Sequence, residues 1–320
     1  VEPDKFVLLH GHYDSWDVGV GDNATGDATM LEVARVLWNN RHLLRRSVRI
    51  AWWPGHSTGR YAGSTWFADQ FAIDLDENCV AQINCDSPGC RWATEYKDVS
   101  LTAETTTFAA SVINDAVGQT MVAERAAQAG DYSFNNIGIS GYFMLLSTMP
   151  DALRAEKDYY AVGGCGGNIA WHTENDTLEV ADKDILLKDM RIYTLAVLRN
   201  ANVSILPFDW RITAEEFRET LSVYQDAAGE NFSLGAAFEA TADLQRALNE
   251  FYAAVETGQA DEARANHVIQ RLARLLIPIN FTREPRFWHD PALTLPKLPD
   301  LATATTLDEY GEESLGFAKT

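Results

Sequence analysis

No stretch of this sequence stays apolar for the ~20 residues that a helix needs to cross a bilayer, so no transmembrane segment is expected. Positive charge is also scarce: 26 Lys and Arg stand against 46 Asp and Glu, for a formal net charge of −20. Nucleic-acid binding needs a basic face to neutralise phosphates, and this balance supplies none. The acidity favours solubility and attracts cations, but carries no information on fold. Cysteine is sparse too, with only Cys79, Cys85, Cys90 and Cys165 in 320 residues. That is too few for a disulfide scaffold, and the spacing is not the CxxC pairing of a structural zinc site. One bridge among the first three and free buried thiols are both open. A signal peptide is lacking as well. The chain opens almost directly on a buried-strand pattern at Phe6–His10. The expectation is that an N-terminal portion is missing or carried on another chain, and packs against Phe6–His10.

What is present is globular in character, with 46% hydrophobic and 22% charged residues. The length suffices for one large domain and a smaller one. Residues 1–206 alternate strand and helix patterns. Phe6–His10 is a continuous apolar run, as in a strand buried on both faces. Met30, Leu31, Val33, Ala34, Val36 and Leu37 follow at helical spacing. Strands are predicted at Ser47–Trp53, Val80–Cys85 and Tyr142–Leu146, and helices at Ser64–Phe71, Thr105–Val117 and Asp184–Asn200. The alternation predicts an α/β fold, a three-layer α/β/α sandwich on a mixed, mostly parallel sheet. From residue 207 the pattern becomes helical, at Thr213–Ala227, Ala236–Glu256 and Asp261–Leu275, with a capping box read at Thr213 and Glu216. The tail from Pro278 holds five of the ten prolines and is expected to wrap the surface in extended form.

The residues that carry chemistry sit where strands end. His12-Tyr13-Asp14 follows the first strand. Asp22, in Gly21-Asp22-Asn23-Ala24-Thr25-Gly26, opens a helix. Asp86 ends the third strand, and His172 stands in Trp171-His172-Thr173-Glu174-Asn175-Asp176-Thr177. Open α/β sheets place their sites at the carboxyl ends of strands. Two histidines with two aspartates suit Zn²⁺ or a similar divalent ion. Each piece alone is weak, because an Asp before a helix is usually an N-cap; order and spacing together carry the signal.

The set resembles the zinc-dependent aminopeptidase family that includes bacterial leucine aminopeptidases, glutamate carboxypeptidase and the transferrin receptor. The match spans about residues 5–205, through Gly11-His12-Tyr13-Asp14-Ser15-Trp16, Asp22-Asn23-Ala24-Thr25-Gly26, Asn84-Cys85-Asp86-Ser87 and His172-Thr173-Glu174-Asn175-Asp176-Thr177. The resemblance implies that His12 and Asp86 bind one metal, that Asp22 bridges two, and that His172 binds the second. It further implies that Asp14 accepts a hydrogen bond from the other ring nitrogen of His12, and that Asp176 supports His172. Residues 207–320, with Asn280-Phe281-Thr282-Arg283 and His289-Asp290-Pro291-Ala292-Leu293, resemble the dimerisation domain of the carboxypeptidase branch. A homodimer is therefore expected, with Leu244, Leu248, Phe251 and Tyr252 contributing. So are a peptide or small amide substrate, one or two zinc ions, and an extracellular or periplasmic location.

One element departs. The family places two consecutive glutamates after its second strand. Here the segment reads Trp53-Pro54-Gly55-His56-Ser57-Thr58-Gly59-Arg60. His56 falls at the general-base position and Ser57 at a metal-ligand position. His56 can serve as base or as substitute ligand, and one ring nitrogen cannot do both. Serine is a poor substitute for a ligating carboxylate. An active hydrolase, a metal-binding but non-catalytic homologue and a pure binding protein all remain open. Other candidates are minor: Cys165 as nucleophile, His10 in place of His12, Glu174 as base, Arg60 or Arg125 for a substrate carboxylate, and Gly163–Gly167 for close substrate approach. The arginine-rich segment that grips acidic substrates in glutamate carboxypeptidase is replaced by Gly138–Phe143.

Overall fold

The computed structural model of the chain describes residues 1–59, 61–126 and 133–309. Phe6, Val7, Leu8 and Leu9 lie wholly out of water on a strand running from Glu2 to His12 (β1). Side chains alternate along a strand. Val7 and Leu9 therefore join one core with Met30, Val33, Ile83 and Ile192. Phe6 and Leu8 join another with Trp53, Ala68, Leu75 and Phe134. Each of these burials is worth roughly 1.5–3 kcal/mol. A strand apolar on both faces can only be the middle of a sandwich, and β1 is.

Among the described residues, β1 and five further strands make one sheet. They are β2 (Arg46–Trp53), β3 (Cys79–Asn84), β4 (Val99–Leu101), β5 (Ala123–Arg125) and β6 (Gly141–Tyr142), in the order β2-β1-β3-β6-β4-β5. All neighbours are parallel except β4 and β6. Helices α1 (Thr25–Asn40), α4 (Thr106–Val117) and α6 (Lys183–Asn202) bring the apolar residues of one face, and α2 (Ala62–Gln70) and α3 (Ala72–Asn78) those of the other. In α1, Met30, Val33 and Leu37 recur at i, i+3 and i+7 and are buried, while Glu32 and Arg35 pair on the outside. A short helix α5 (Asp151–Glu156) follows β6. The α/β sandwich is thus as expected. The register aligns the ends of the three leading strands: His12 lies opposite Trp53, and His10 opposite Asn84. Every loop leaving them meets at one edge.

The C-terminal helices are α7 (Trp210–Ala228), α8 (Gly235–Glu256) and α9 (Glu262–Phe281). The Tyr252 hydroxyl donates to Phe208 O at 2.6 Å and accepts from Trp210 N at 3.1 Å, so the end of α8 lies against the start of α7 and the two run antiparallel. Arg274 of α9 is 2% exposed, and its guanidinium donates to the main-chain oxygens of Leu75, Asp76, Cys79 and Gly138. It thereby satisfies carbonyls at the end of α3 that the helix leaves free.

Several expectations give way here. β1 is paired on both sides, so Phe6–His10 offers no edge to a further segment; the strand left open on that side is β2. Strand β6 stops at Tyr142, because Phe143 takes a left-handed backbone, φ +68°. The cap of α7 is Asp209, whose carboxylate accepts from Arg211 N at 3.0 Å. Thr213 instead faces inward toward Glu104, and Glu216 holds Asn280 and Lys297. Pro278 lies inside α9, and the tail returns as a 3-10 helix, Pro299–Glu309, with Leu298, Ala304 and Leu307 buried. Leu248 and Tyr252 are buried in the chain's own core, and Leu244 and Phe251 pack beside them half-buried. No helix among the described residues is long and apolar enough to cross a membrane.

Candidate metal centre

The edge where β1, β2 and β3 end carries all six named site residues in contact, His12, Asp22, His56, Asp86 and His172 facing one another and Asp14 behind His12 and His56. His12 closes β1. Its Nδ1 donates to the main-chain oxygen of Asp14 at 2.9 Å. A carbonyl can only accept, so the proton sits on Nδ1 and Nε2 faces the cluster. His12 Nε2 stands 2.9 Å from Asp22 Oδ1 and 3.4 Å from Asp86 Oδ2. His172 Nε2 stands 3.1 Å from the other oxygen of Asp22, and His56 Nε2 3.8 Å from Asp86 Oδ2. Exposure grades outward from His12 at 1% and Asp22 at 5% to Asp86 at 12%, His56 at 16% and His172 at 28%. The two buried side chains, His12 and Asp22, are the floor and the two outer histidines the mouth.

Each donor is held from behind. Gly11, before His12, has room for no side chain: a Cβ would lie 2.8 Å from Cys85 O. Asn23 ties the strand ends together, donating to His12 O at 3.0 Å and Cys85 O at 2.9 Å and accepting from Ser87 N at 2.9 Å. The Ser87 hydroxyl donates to Asp86 Oδ1 at 2.8 Å. Asp176 accepts from Gly21 N at 2.7 Å and Asp22 N at 2.9 Å, so it anchors the turn that presents Asp22 rather than His172. The carboxylate of Asp14 takes the N–H groups of His56 at 3.2 Å and Ser57 at 3.1 Å, and its Oδ1 lies 3.6 Å from His12 Nδ1. The expected carboxylate–histidine contact is thus made by the main-chain oxygen, while the carboxylate fixes the His56 loop. His172 has φ +59° and stacks on Trp171, with ring centres 3.7 Å apart; Trp16 lies on it at 5.3 Å.

The electrostatics suit a cation. Burial opposes charge on His12, but Asp86, Asp14 and Asp22 outweigh it and push the imidazole up to about 12. Burial acts against ionised Asp22 as well, yet His12 and His172 hold it well below the usual carboxylate range. Asp14 is held down to about 2, against burial, by His12 and the N–H groups of His56 and Ser57. Burial and then the charge on His12 lower His56. His12 Nε2 and Asp22 Oδ1 are buried and face each other at 2.9 Å, without a well-aligned hydrogen bond among the described residues. Such atoms are costly unless something else meets them. A proton is the smallest cation this cluster accepts; the same acidic and imidazole donors fit a divalent metal.

The remaining candidates fall outside the cluster. His10 is buried, 2.5 Å from Gln82 Oε1 and beside Trp53 and Phe134, and burial lowers it to about 4. All four cysteines are buried free thiols. Cys165 donates to Asp176 at 3.6 Å, and its neighbour Cys90, then burial, push its thiol up, away from the thiolate form. Arg125 holds Asn280 O and covers the ring of Phe281. Glu174 is exposed. Arg60 lies outside the described residues. Gly163, Gly164, Gly166 and Gly167 line a cavity of about 40 Å³ beside Asp86 and Ser87. The clamp role of Asn23 was not anticipated, although its place beside Asp22 was the available signal.

The model of peptidase family M28 matches residues 1–196. The chain belongs to peptidase family M28. It is 39% identical over 94 residues to aminopeptidase NAALADL1 of Mus musculus, covering 27% of this chain and 12% of that protein. It is 33% identical over 88 residues to the probable glutamate carboxypeptidase VP8 of Zea mays, again covering 27% and 12%. The aligned part of the chain thus spans a small fraction of these relatives' length. LapB of Legionella pneumophila has the same fold over 63% of this chain and 53% of its own, with TM-score 0.51 at 18% identity. Within the M28 chain, His56 and Ser57 are the residues whose chemistry separates this site from the expected double glutamate.

Proposed function

We propose that this chain is a metal-dependent hydrolase of peptide or amide bonds, acting at a chain terminus in the manner of an aminopeptidase or carboxypeptidase, with zinc as its ion. The observation that carries the reading is the convergence of two buried donor atoms, His12 Nε2 and Asp22 Oδ1, 2.9 Å apart, with Asp86, His56 and His172 around them. His12, Asp22, Asp86, His56 and His172 are the donors from which the ion's ligands would be drawn. A bound divalent ion would polarise a carbonyl and make water nucleophilic near neutral pH.

The chain's own residues do the rest. Asp14 fixes the tautomer of His12 through its main-chain oxygen and the His56–Ser57 loop through its carboxylate. Asp176 and Asn23 hold Asp22 and the strand ends. His172, packed between Trp171 and Trp16, gives the mouth an aromatic wall that suits an apolar side chain. Both roles read for His56, proton acceptor and ligand, need it beside the centre, and its Nε2 stands 3.8 Å from Asp86.

The test is hydrolysis of aminoacyl arylamides and acylated dipeptides by the purified chain, before and after chelation. Turnover that is lost on chelation and restored by zinc is expected. Zinc binding with no turnover on any substrate would favour the second reading, a non-catalytic homologue, for which the absence of both glutamates speaks. The proposal also takes residues 207–320 as a dimerisation unit and the site of action as extracellular or periplasmic. Leu275 and Ile279, exposed one turn apart on α9, and Trp288 supply apolar surface for a second copy. A monomer in light scattering at micromolar concentration would remove the dimer.

A further inference from the structure

We propose that the centre holds one ion rather than two, with His56 as a ligand alongside His12 and Asp86, so that the half facing His172 has no ion of its own; this rests on the reading of the cluster as a metal centre. Among the described residues, one nitrogen each from His12 and His56 and one oxygen from Asp86 all lie within 4.8 Å of one another. Both Nε2 atoms approach the same oxygen, Asp86 Oδ2, at 3.4 and 3.8 Å. Their rings stack 4.0 Å apart and 7° from parallel, so the two nitrogens are presented side by side.

One residue sets both rings. Asp14 holds His12 Nδ1 through its main-chain oxygen and takes the N–H groups of His56 and Ser57 on its carboxylate. This is the outer support that ligating imidazoles need.

The other half is poor by comparison. It offers one oxygen of Asp22 and His172 Nε2 at 3.1 Å from it, and position 57, where the resemblance implies a ligand, carries a neutral hydroxyl. Ser57 is 4% exposed and its hydroxyl has no partner. Charge settles the comparison. One dication is neutralised by the two carboxylates that face the Nε2 atoms, Asp22 and Asp86; Asp14 stands behind the rings with its charge turned to the His56 and Ser57 N–H groups. A second would leave two positive charges uncompensated around groups 1–12% exposed, and buried unpaired charge is costly. A carboxylate at position 57 would lower that excess; serine does not.

The experiment is equilibrium dialysis of the metal-free full chain against zinc, with metal counted per chain, and cobalt spectra in parallel. Wild type is expected to take one zinc. His56→Ala and His56→Gln should lose ~100-fold or more in affinity and change the cobalt absorption, with the circular dichroism kept. His172→Ala should still take one zinc at near wild-type affinity. Ser57→Glu should take a second. Two zinc ions per wild-type chain, or unchanged affinity in both His56 variants, would overturn this inference while leaving the metal centre standing. No zinc bound by wild type would overturn the metal reading itself.

Discussion

The imidazoles of His12 and His56 lie face to face, 4.0 Å between ring centres, though 44 positions separate them in the chain. Their meeting is arranged by Asp14, two residues beyond His12, whose carboxylate holds the backbone of the His56 loop.

Replacing Asp14 by Ala removes that hold while leaving every donor in place. Zinc affinity is expected to fall ~10–100-fold, the usual cost of losing an outer support, measured by competition with a chromophoric chelator. Affinity equal to wild type would mean that the loop is fixed by something else.

Asn23 makes three buried hydrogen bonds, to His12 O, Cys85 O and Ser87 N. Asn23→Ala leaves two carbonyls and an N–H without partners. At about 1 kcal/mol or more for each, the metal-free chain should lose ~3 kcal/mol in urea unfolding, with the slope unchanged. A loss under ~1 kcal/mol would show that water takes over the role.

Arg274 joins α9 to the end of α3 through four main-chain oxygens and an ion pair with Asp76 at 3.2 Å. Arg274→Met keeps the volume and removes the donors. Equilibrium unfolding should register a loss of ~3–5 kcal/mol, as when one partner of a buried charged network is taken away. A near-neutral result would show that the carbonyls are reached by solvent.

Glu104 is buried, accepts from Thr102 at 2.7 Å, and burial raises it from 4.5 to about 6. Because the folded state binds this proton more tightly than the unfolded state, the contribution is fully present below about pH 4.5 and is lost as pH rises through about 6. It amounts to about 2 kcal/mol. The stability difference between wild type and Glu104→Gln should therefore shift in favour of wild type between pH 7 and pH 5. A difference that stays constant across that range contradicts the assignment.

Part of the site could be read from the strand pattern, because His12 closes β1 and Asp86 follows β3, while Asp22 and His172 were found from the order of the motifs and the family resemblance. His12, Asp22, Asp86 and His172 were located in this way, and the structure brings them together. Local sequence could not say which group each support would touch. Asp14 and Asp176 were both recognised as supports, yet Asp14 gives His12 its main-chain oxygen and Asp176 serves the turn before Asp22. Both outcomes depend on how loops from distant parts of the chain cross at the sheet edge.

By itself the sequence determined the layered α/β fold, since a period-2 pattern apolar on both faces has nowhere to lie but the centre of a sheet covered by helices. It also determined which side chains offer donor atoms at the strand ends, because donor chemistry belongs to side chains. Tertiary structure alone decided the rest. It placed the open strand edge at β2 rather than β1, turned Leu248 and Tyr252 inward, and carried Pro278 inside a helix. It also set His56 against His12 and Asp86 and tied the Ser57 N–H to the carboxylate of Asp14. The reason is common to all of these. Each is fixed by contacts between residues tens to hundreds of positions apart, and no local pattern encodes which of several compatible neighbours a group will meet.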